Sequence, residues 1–250
     1  MSTPDALSSE AKAYVGEVWR VVESQHTAST MRLTDTLEEQ QMLEELIEEV
    51  KPGFPPETRG LDYLLATPFR YAPYRHGSRF RRANQREGAY YAAEAVNTAL
   101  AETAFYRLLF LAESPGMPLP ERPYDFTAFS VDVAADQAID LTKPPFDTDA
   151  DVWMHPTAYG PCQDLANAAR AAEIGLIRYR SVRDPAGGAN VAVLSPLCFQ
   201  TPKPKEMQTW KVFLQEHSVQ IWRTPDDPRV TLFAIDRAVF DADPRIARAR

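Results

Sequence analysis

Three features of the 250-residue chain predict an α+β fold, with mixed or antiparallel sheets and flanking helices. Short runs of β-branched and aromatic residues recur along it. Helices cluster between these runs without regular βαβ alternation, and the C-terminal runs are separated by Pro- and Asp-containing turns. In chain order, VGEVWRVVE at 15–23 is a strand with Arg20 and Glu23 as its polar members. TDTLEEQQMLEELIEEV follows as a helix, because Leu37, Leu43, Leu46, Ile47 and Val50 recur at helical spacing. Asp35 is its candidate cap, Pro52 and Gly53 end it, its glutamates read as a solvated face and its apolar stripe as core packing. After a Pro-rich connection and the apolar LDYLLA, the stretch TPFRYAPYRHGSRFRR holds Pro68, Pro73 and Gly77 and reads as irregular or lightly paired strand.

GAYYAAE has the composition of a short strand, and EAVNTALAETAFYRLLFLA is the clearest helix, stopping at Ser114-Pro115. YDFTAFSVDVA alternates like a half-buried strand, with QAIDLT a candidate for another. CQDLANAARAAEI is a second Ala-rich helix closing at Gly175 as a C′ glycine, and LIRYRSV is the strand it feeds. DPAGGAN is a turn, and VAVL, TWKVFLQEH, VQIWRT and RVTLFAI are short strands.

Composition removes whole classes of function. With 27 Lys+Arg against 35 Asp+Glu, the net charge is −8, whereas general nucleic-acid or anionic-membrane binding needs a broad positive face. No apolar run approaches the roughly 20 residues that span a bilayer, and MSTPDALSSEAKAY lacks the basic and apolar regions of a signal peptide, so a cytoplasmic location is expected. Cys162 and Cys198 make no disulfide framework or zinc site and read as small buried hydrophobes. His26, His76, His155 and His217 are scattered, so no metal is expected. P-loop, dinucleotide-fold and nucleophile-elbow glycine motifs are absent from the sequence.

The arginines are the informative residues. Arg70, Arg75, Arg79, Arg81, Arg82 and Arg86 crowd 17 positions, while no lysine stands between Lys51 and Lys143. Pure arginine suits planar, bidentate pairing with phosphate or carboxylate; its plain alternative is surface ion pairs with the Glu-rich helix. Arg178, Arg180 and Arg183 form a second group around Ser181. Glu102 sits among Ala99, Leu100, Ala101, Ala104 and Phe105, so its helix faces are mostly apolar. A helical glutamate ordinarily points to water, but a half-buried one beside arginines can hold a ribose hydroxyl and steady an oxocarbenium-like sugar cation. Tyr90 and Tyr91 offer flat faces, and as strand neighbours they point oppositely, so one of them can line a pocket.

The succession WRVVE, GSRF, GAYYAAE, ALAE and IRYRSV with DPAGGANVAVL resembles the RES-domain family over about residues 16–200. The resemblance implies a fold similar to the ADP-ribosyltransferase toxins and a single domain over 1–250, with a helical insertion at about 30–66 and a C-terminal strand extension at about 205–240. It implies a bacterial toxin that breaks the nicotinamide–ribose bond of NAD, transferring the ADP-ribosyl group to phosphate or water; ADP-ribosylation of a host protein and a non-catalytic nucleotide or ADP-ribose module are the alternatives. By motif, Glu102, Tyr91 and Ser181 are implied as catalytic. Arg79 and either Arg20 or Arg70, with Tyr71 beside the latter, are implied as NAD-binding. Ser181 would bond the nicotinamide ribose or a phosphate. The implied partner is an Xre-like antitoxin, through which the toxin could oligomerise; NAD is substrate, no metal is needed and nucleic acid is not contacted directly.

Overall fold

The computed structural model describes residues 3–24, 33–70, 76–114, 116–224 and 232–247. Its helices are α1 (Pro4–Glu10), α2 (Leu37–Val50), α3 (Tyr63–Ala66), α4 (Val96–Ala112), α5 (Ala150–Trp153), α6 (Gly160–Ala171), α7 (Arg237–Asp241) and α8 (Pro244–Ala247). Its strands are β1 (Lys12–Glu23), β2 (Tyr90–Ala93), β3 (Tyr124–Asp140), β4 (Leu176–Arg180), β5 (Ala189–Val193), β6 (Glu206–Leu214), β7 (Ser218–Thr224) and β8 (Leu232–Asp236). The fold is α+β with one mixed sheet.

YDFTAFSVDVA and QAID, which the sequence offers as two strands, are the single strand β3. No Gly or Pro interrupts them, and β1 pairs antiparallel along almost the whole length, from Glu23↔Phe126 to Lys12↔Ala138. On its other side β3 pairs antiparallel with β6, which continues into β7 and β8. The last residues of β3, Ala138–Asp140, run parallel to β4. β4 pairs with β5, β5 with β2, and β2 returns to β1 through the single pair Trp19↔Ala93. Five strands thereby close on themselves, and the weakest join, between β1 and β2, is where the backbones splay.

Helices fill the faces. Leu100, Ala101, Ala104, Phe105 and Leu108 of α4 are almost completely buried against Trp210, Val212, Ile221 and Phe240. Each large apolar side chain there contributes about 1.5–3 kcal/mol through removal from water. Cys162, Leu165, Ala166 and Ala169 of α6 pack with Ile177 and Ala192 in a second cluster.

Three local expectations are corrected. The residue in the left-handed region after α6 is Glu173, at φ 56°, not Gly175. Gly175 is required for a different reason: a Cβ there would lie 2.6 Å from Cys198 Sγ. Helix α2 is capped by Thr36 rather than Asp35, because Thr36 and Glu39 exchange side-chain bonds to each other's backbone in a capping box. The apolar residues of α2 are not core: none is buried, and Met42, Leu46 and Val50 form an exposed stripe. Its cap and Gln–Glu pairs one turn apart support the helix instead, while α4 and α6 already occupy the buried clusters.

Candidate functional site

Helix α4 presents two faces. One enters the core, and the other, Ala99, Glu102, Thr103, Tyr106 and Phe110, lines a cavity of about 600 Å³ at the splay of β1 and β2. From β1 come Trp19, Arg20 and Val21, and from β2 come Tyr91, Ala92 and Ala93. Arg79, Tyr159, Tyr179, Arg183, Asn190 and Arg245 complete much of the wall.

Glu102 is half-buried and its Oε1 accepts two short hydrogen bonds, from Ser181 Oγ and from Asn190 Nδ2, both at 2.7 Å. Both donors are nearly sealed from water, at 4% and 3% exposure. Ser181 is itself fixed, its Oγ accepting from the backbone N–H of Arg183 and Asp184. The carboxylate is therefore oriented by groups on two strand ends 79 and 88 positions along the chain. Its other oxygen has no hydrogen-bond partner among the described residues.

Ser181 is bonded to Glu102 within the protein. Its one hydroxyl hydrogen goes to Glu102, and its surface opens on a neighbouring hollow of about 430 Å³ with His155 and Arg180, not on the main cavity. In this arrangement Ser181 orients the carboxylate.

GSRF is a tight reversal: Ser78 and Arg81 exchange backbone bonds with Arg79 and Phe80 at the tip. Gly77 is needed beside it, since a Cβ would approach Gln163 Nε2 at 2.9 Å and the Arg81 carbonyl at 3.0 Å. Phe80 is wholly buried and meets Tyr179 edge-on, which anchors the tip. The Tyr91 hydroxyl accepts from Phe80 N and bonds Ser78 Oγ, so it locks the turn while its ring faces the cavity. Burial pushes the Tyr91 phenol above its ordinary pKa. Tyr90, its strand neighbour, turns inward and is fully buried.

Arg79 is 8% exposed, donates to the Trp153 carbonyl and lies over the Tyr159 ring at 4.8 Å. Arg20 donates to the Tyr91 carbonyl at 2.8 Å and sits 5.0 Å from the centre of the Tyr90 ring. Neither has an acidic partner among the described residues. Arg70 lies elsewhere: it pairs with Glu48 of α2 at 2.6 Å, donates to the Pro52 carbonyl and covers Phe54. The ion-pair alternative applies to that arginine, and to Arg82 with Asp164. Tyr71 and Arg75 lie outside the described residues. Of the second basic group, Arg178 is neutralised by Glu94 and Asp140.

Sequence reasoning passed over Asn190, read as the end of a turn, and Arg245. The available signal for Asn190 was a lone carboxamide opening the otherwise apolar strand NVAV. Among the described residues no group of three or more His, Cys, Asp or Glu could hold a metal ion, and no helix is long and apolar enough to cross a membrane.

Fold and cavity together define an α+β domain with an arginine-walled pocket around one oriented glutamate. The chain belongs to the RES domain family, whose model matches residues 55–215. That span holds Arg79, Tyr91, Glu102, Ser181 and Asn190, while Arg20 precedes it and Arg245 follows it. Among solved structures, a chain of the M. tuberculosis MbcT–MbcA toxin–antitoxin complex is similar, with a TM-score of 0.47 and 12% identity over 82% of this chain and 89% of that one. No curated protein matches the sequence.

Proposed function

We propose that the protein cleaves NAD at the bond between nicotinamide and ribose and passes the ADP-ribosyl group to phosphate or water. The observation that carries this reading is a carboxylate pinned by Ser181 and Asn190 in the same cavity as two arginines, Arg20 and Arg79, that no acid among the described residues neutralises. An acidic protein that keeps uncompensated guanidinium groups in a hollow is built for an anion, and the diphosphate of a dinucleotide supplies one. Arg20, not Arg70, is then the second diphosphate ligand beside Arg79.

In the reaction the C1′–N bond breaks, its electron pair stays with the pyridine nitrogen, and nicotinamide leaves neutral. Positive charge gathers on C1′ and the ring oxygen. The free oxygen of Glu102 holds the ribose 2′-hydroxyl and steadies that charge, its orientation already set before substrate arrives. A phosphate or water oxygen then bonds to C1′; water gives up a proton to solvent. Tyr91 and Tyr159 supply apolar ring faces for the departing base.

We assign the protein to the toxin half of a toxin–antitoxin pair, with an Xre-like antitoxin as partner; membership of the RES family supports this. Incubation with NAD, with and without phosphate, should release nicotinamide, and Glu102→Gln should lower the rate by about 10²–10³. A parental rate in Glu102→Gln overturns the assignment. Binding of NAD without release would identify a non-catalytic module.

A further inference from the structure

Residues beyond 215 lie outside the family match, yet one of them reaches the cavity. After β8, Phe240 and Ile246 are each 1% exposed and pin α7 and α8 against α4, with Phe240 at 6.0 Å from the Phe105 ring. Between these anchors stands Asp243, whose side chain is completely buried. Its two oxygens accept from Arg245 Nε and Nη2, each at 3.0 Å, and it forms an ion pair with Arg183 Nη2 at 2.9 Å. Both guanidinium groups also donate to the Pro156 carbonyl and lie over Phe105, at 3.8 and 5.5 Å.

Among the described residues two cations share one carboxylate, so this stretch of wall carries one positive charge without an acidic partner. The two are not equivalent. Arg183 has a side chain only 7% exposed and is enclosed by its partners, whereas the Arg245 side chain is 30% exposed at the cavity. A fastening for the chain end needs a single pair; the second arginine adds charge on the side facing the hollow. Arg183 is also bonded through its backbone to Ser181, which ties this charge to the Glu102 end of the site.

We infer that Arg245 binds phosphate oxygens of the substrate or the acceptor, with Asp243 as the residue that positions it. The C-terminal segment thus completes a site that the family-matched span leaves open. The inference rests on the cavity being the dinucleotide site proposed above, and it specifies which chemistry that site recognises at this wall. The diphosphate of the dinucleotide and free phosphate present the same oxygens, so the test uses both.

Arg245→Ala in the full chain should weaken binding of ADP-ribose or of inorganic phosphate about tenfold or more by calorimetry, and raise the KM for that ligand in nicotinamide release with kcat within about twofold. Loss toward ADP-ribose places Arg245 on the diphosphate, and loss toward phosphate alone places it on the acceptor. Arg245→Gln keeps the stem over Phe105 and serves if the alanine variant unfolds. A folded variant with parental affinity for both probes and parental KM values overturns the inference, even if the parent protein cleaves NAD. If the parent binds either probe through Arg245 but releases no nicotinamide, the reaction falls and the phosphate site stands. Binding of neither probe by the parent overturns the inference as well.

Discussion

Asn190→Ala isolates what the enclosure around Glu102 contributes. Asn190 Nδ2 donates at 2.7 Å to a carboxylate oxygen, and a hydrogen bond to a charged group is worth about 1.5–3 kcal/mol. The variant should therefore lose about 2 kcal/mol of stability, or about 4–8 °C in melting temperature for a chain of this length. Ser181→Ala should cost more, about 3–5 kcal/mol, because it also strands the buried N–H groups of Arg183 and Asp184 that Ser181 Oγ accepts. In a Glu102→Gln background the acceptor is neutral, a bond worth about 0.5–1.5 kcal/mol, so the same Asn190→Ala change should cost about 1 kcal/mol less. Urea denaturation of the four proteins in this cycle gives the coupling, and nicotinamide release gives the catalytic share. With one of two donors gone, kcat should fall about 10–100-fold while KM stays within about twofold. Additive stabilities to within about 0.3 kcal/mol would refute a shared carboxylate, and an unchanged kcat would refute its positioning.

Acid sensitivity should follow the arginine-bound carboxylates. Arg178 holds Glu94 below the usual carboxylate range; burial pushes Asp243 up, but its bonds to Arg245 and the charge of Arg183 outweigh that and leave it low. A lowered folded-state pKa adds stability that is present above the unfolded value of about 4 and is lost as pH falls through the folded values. The urea midpoint should therefore drop below about pH 4, and Asp243→Asn should flatten part of that acid limb; a limb unchanged by the substitution contradicts the pairing. For α2, Leu46→Gln should alter stability by less than about 0.5 kcal/mol, whereas Leu100→Ala in α4 should cost about 2–5 kcal/mol. A large loss at Leu46, which is 53% exposed, would show that the stripe is covered.

Strands 15–23, 124–134 and 176–180 and the helices around Glu102 and Leu165 were legible because alternation and helical spacing are local properties of the chain. Glu102, Arg79, Tyr91 and Ser181 were legible as candidates because the short motifs that hold them carry the resemblance to the RES-domain family. Periodicity states which face of an element is apolar but not what covers it, and this is why α2 was read as core and stands exposed. The choice between Arg20 and Arg70 rests on the join of Trp19 with Ala93, and the enclosure of Glu102 on β4 and β5 reaching one helix face. Asn190 and Arg245 carry no motif. Their positions depend on ring closure and on two buried anchors after β8, contacts between residues far apart in sequence that only the folded chain brings within bonding distance.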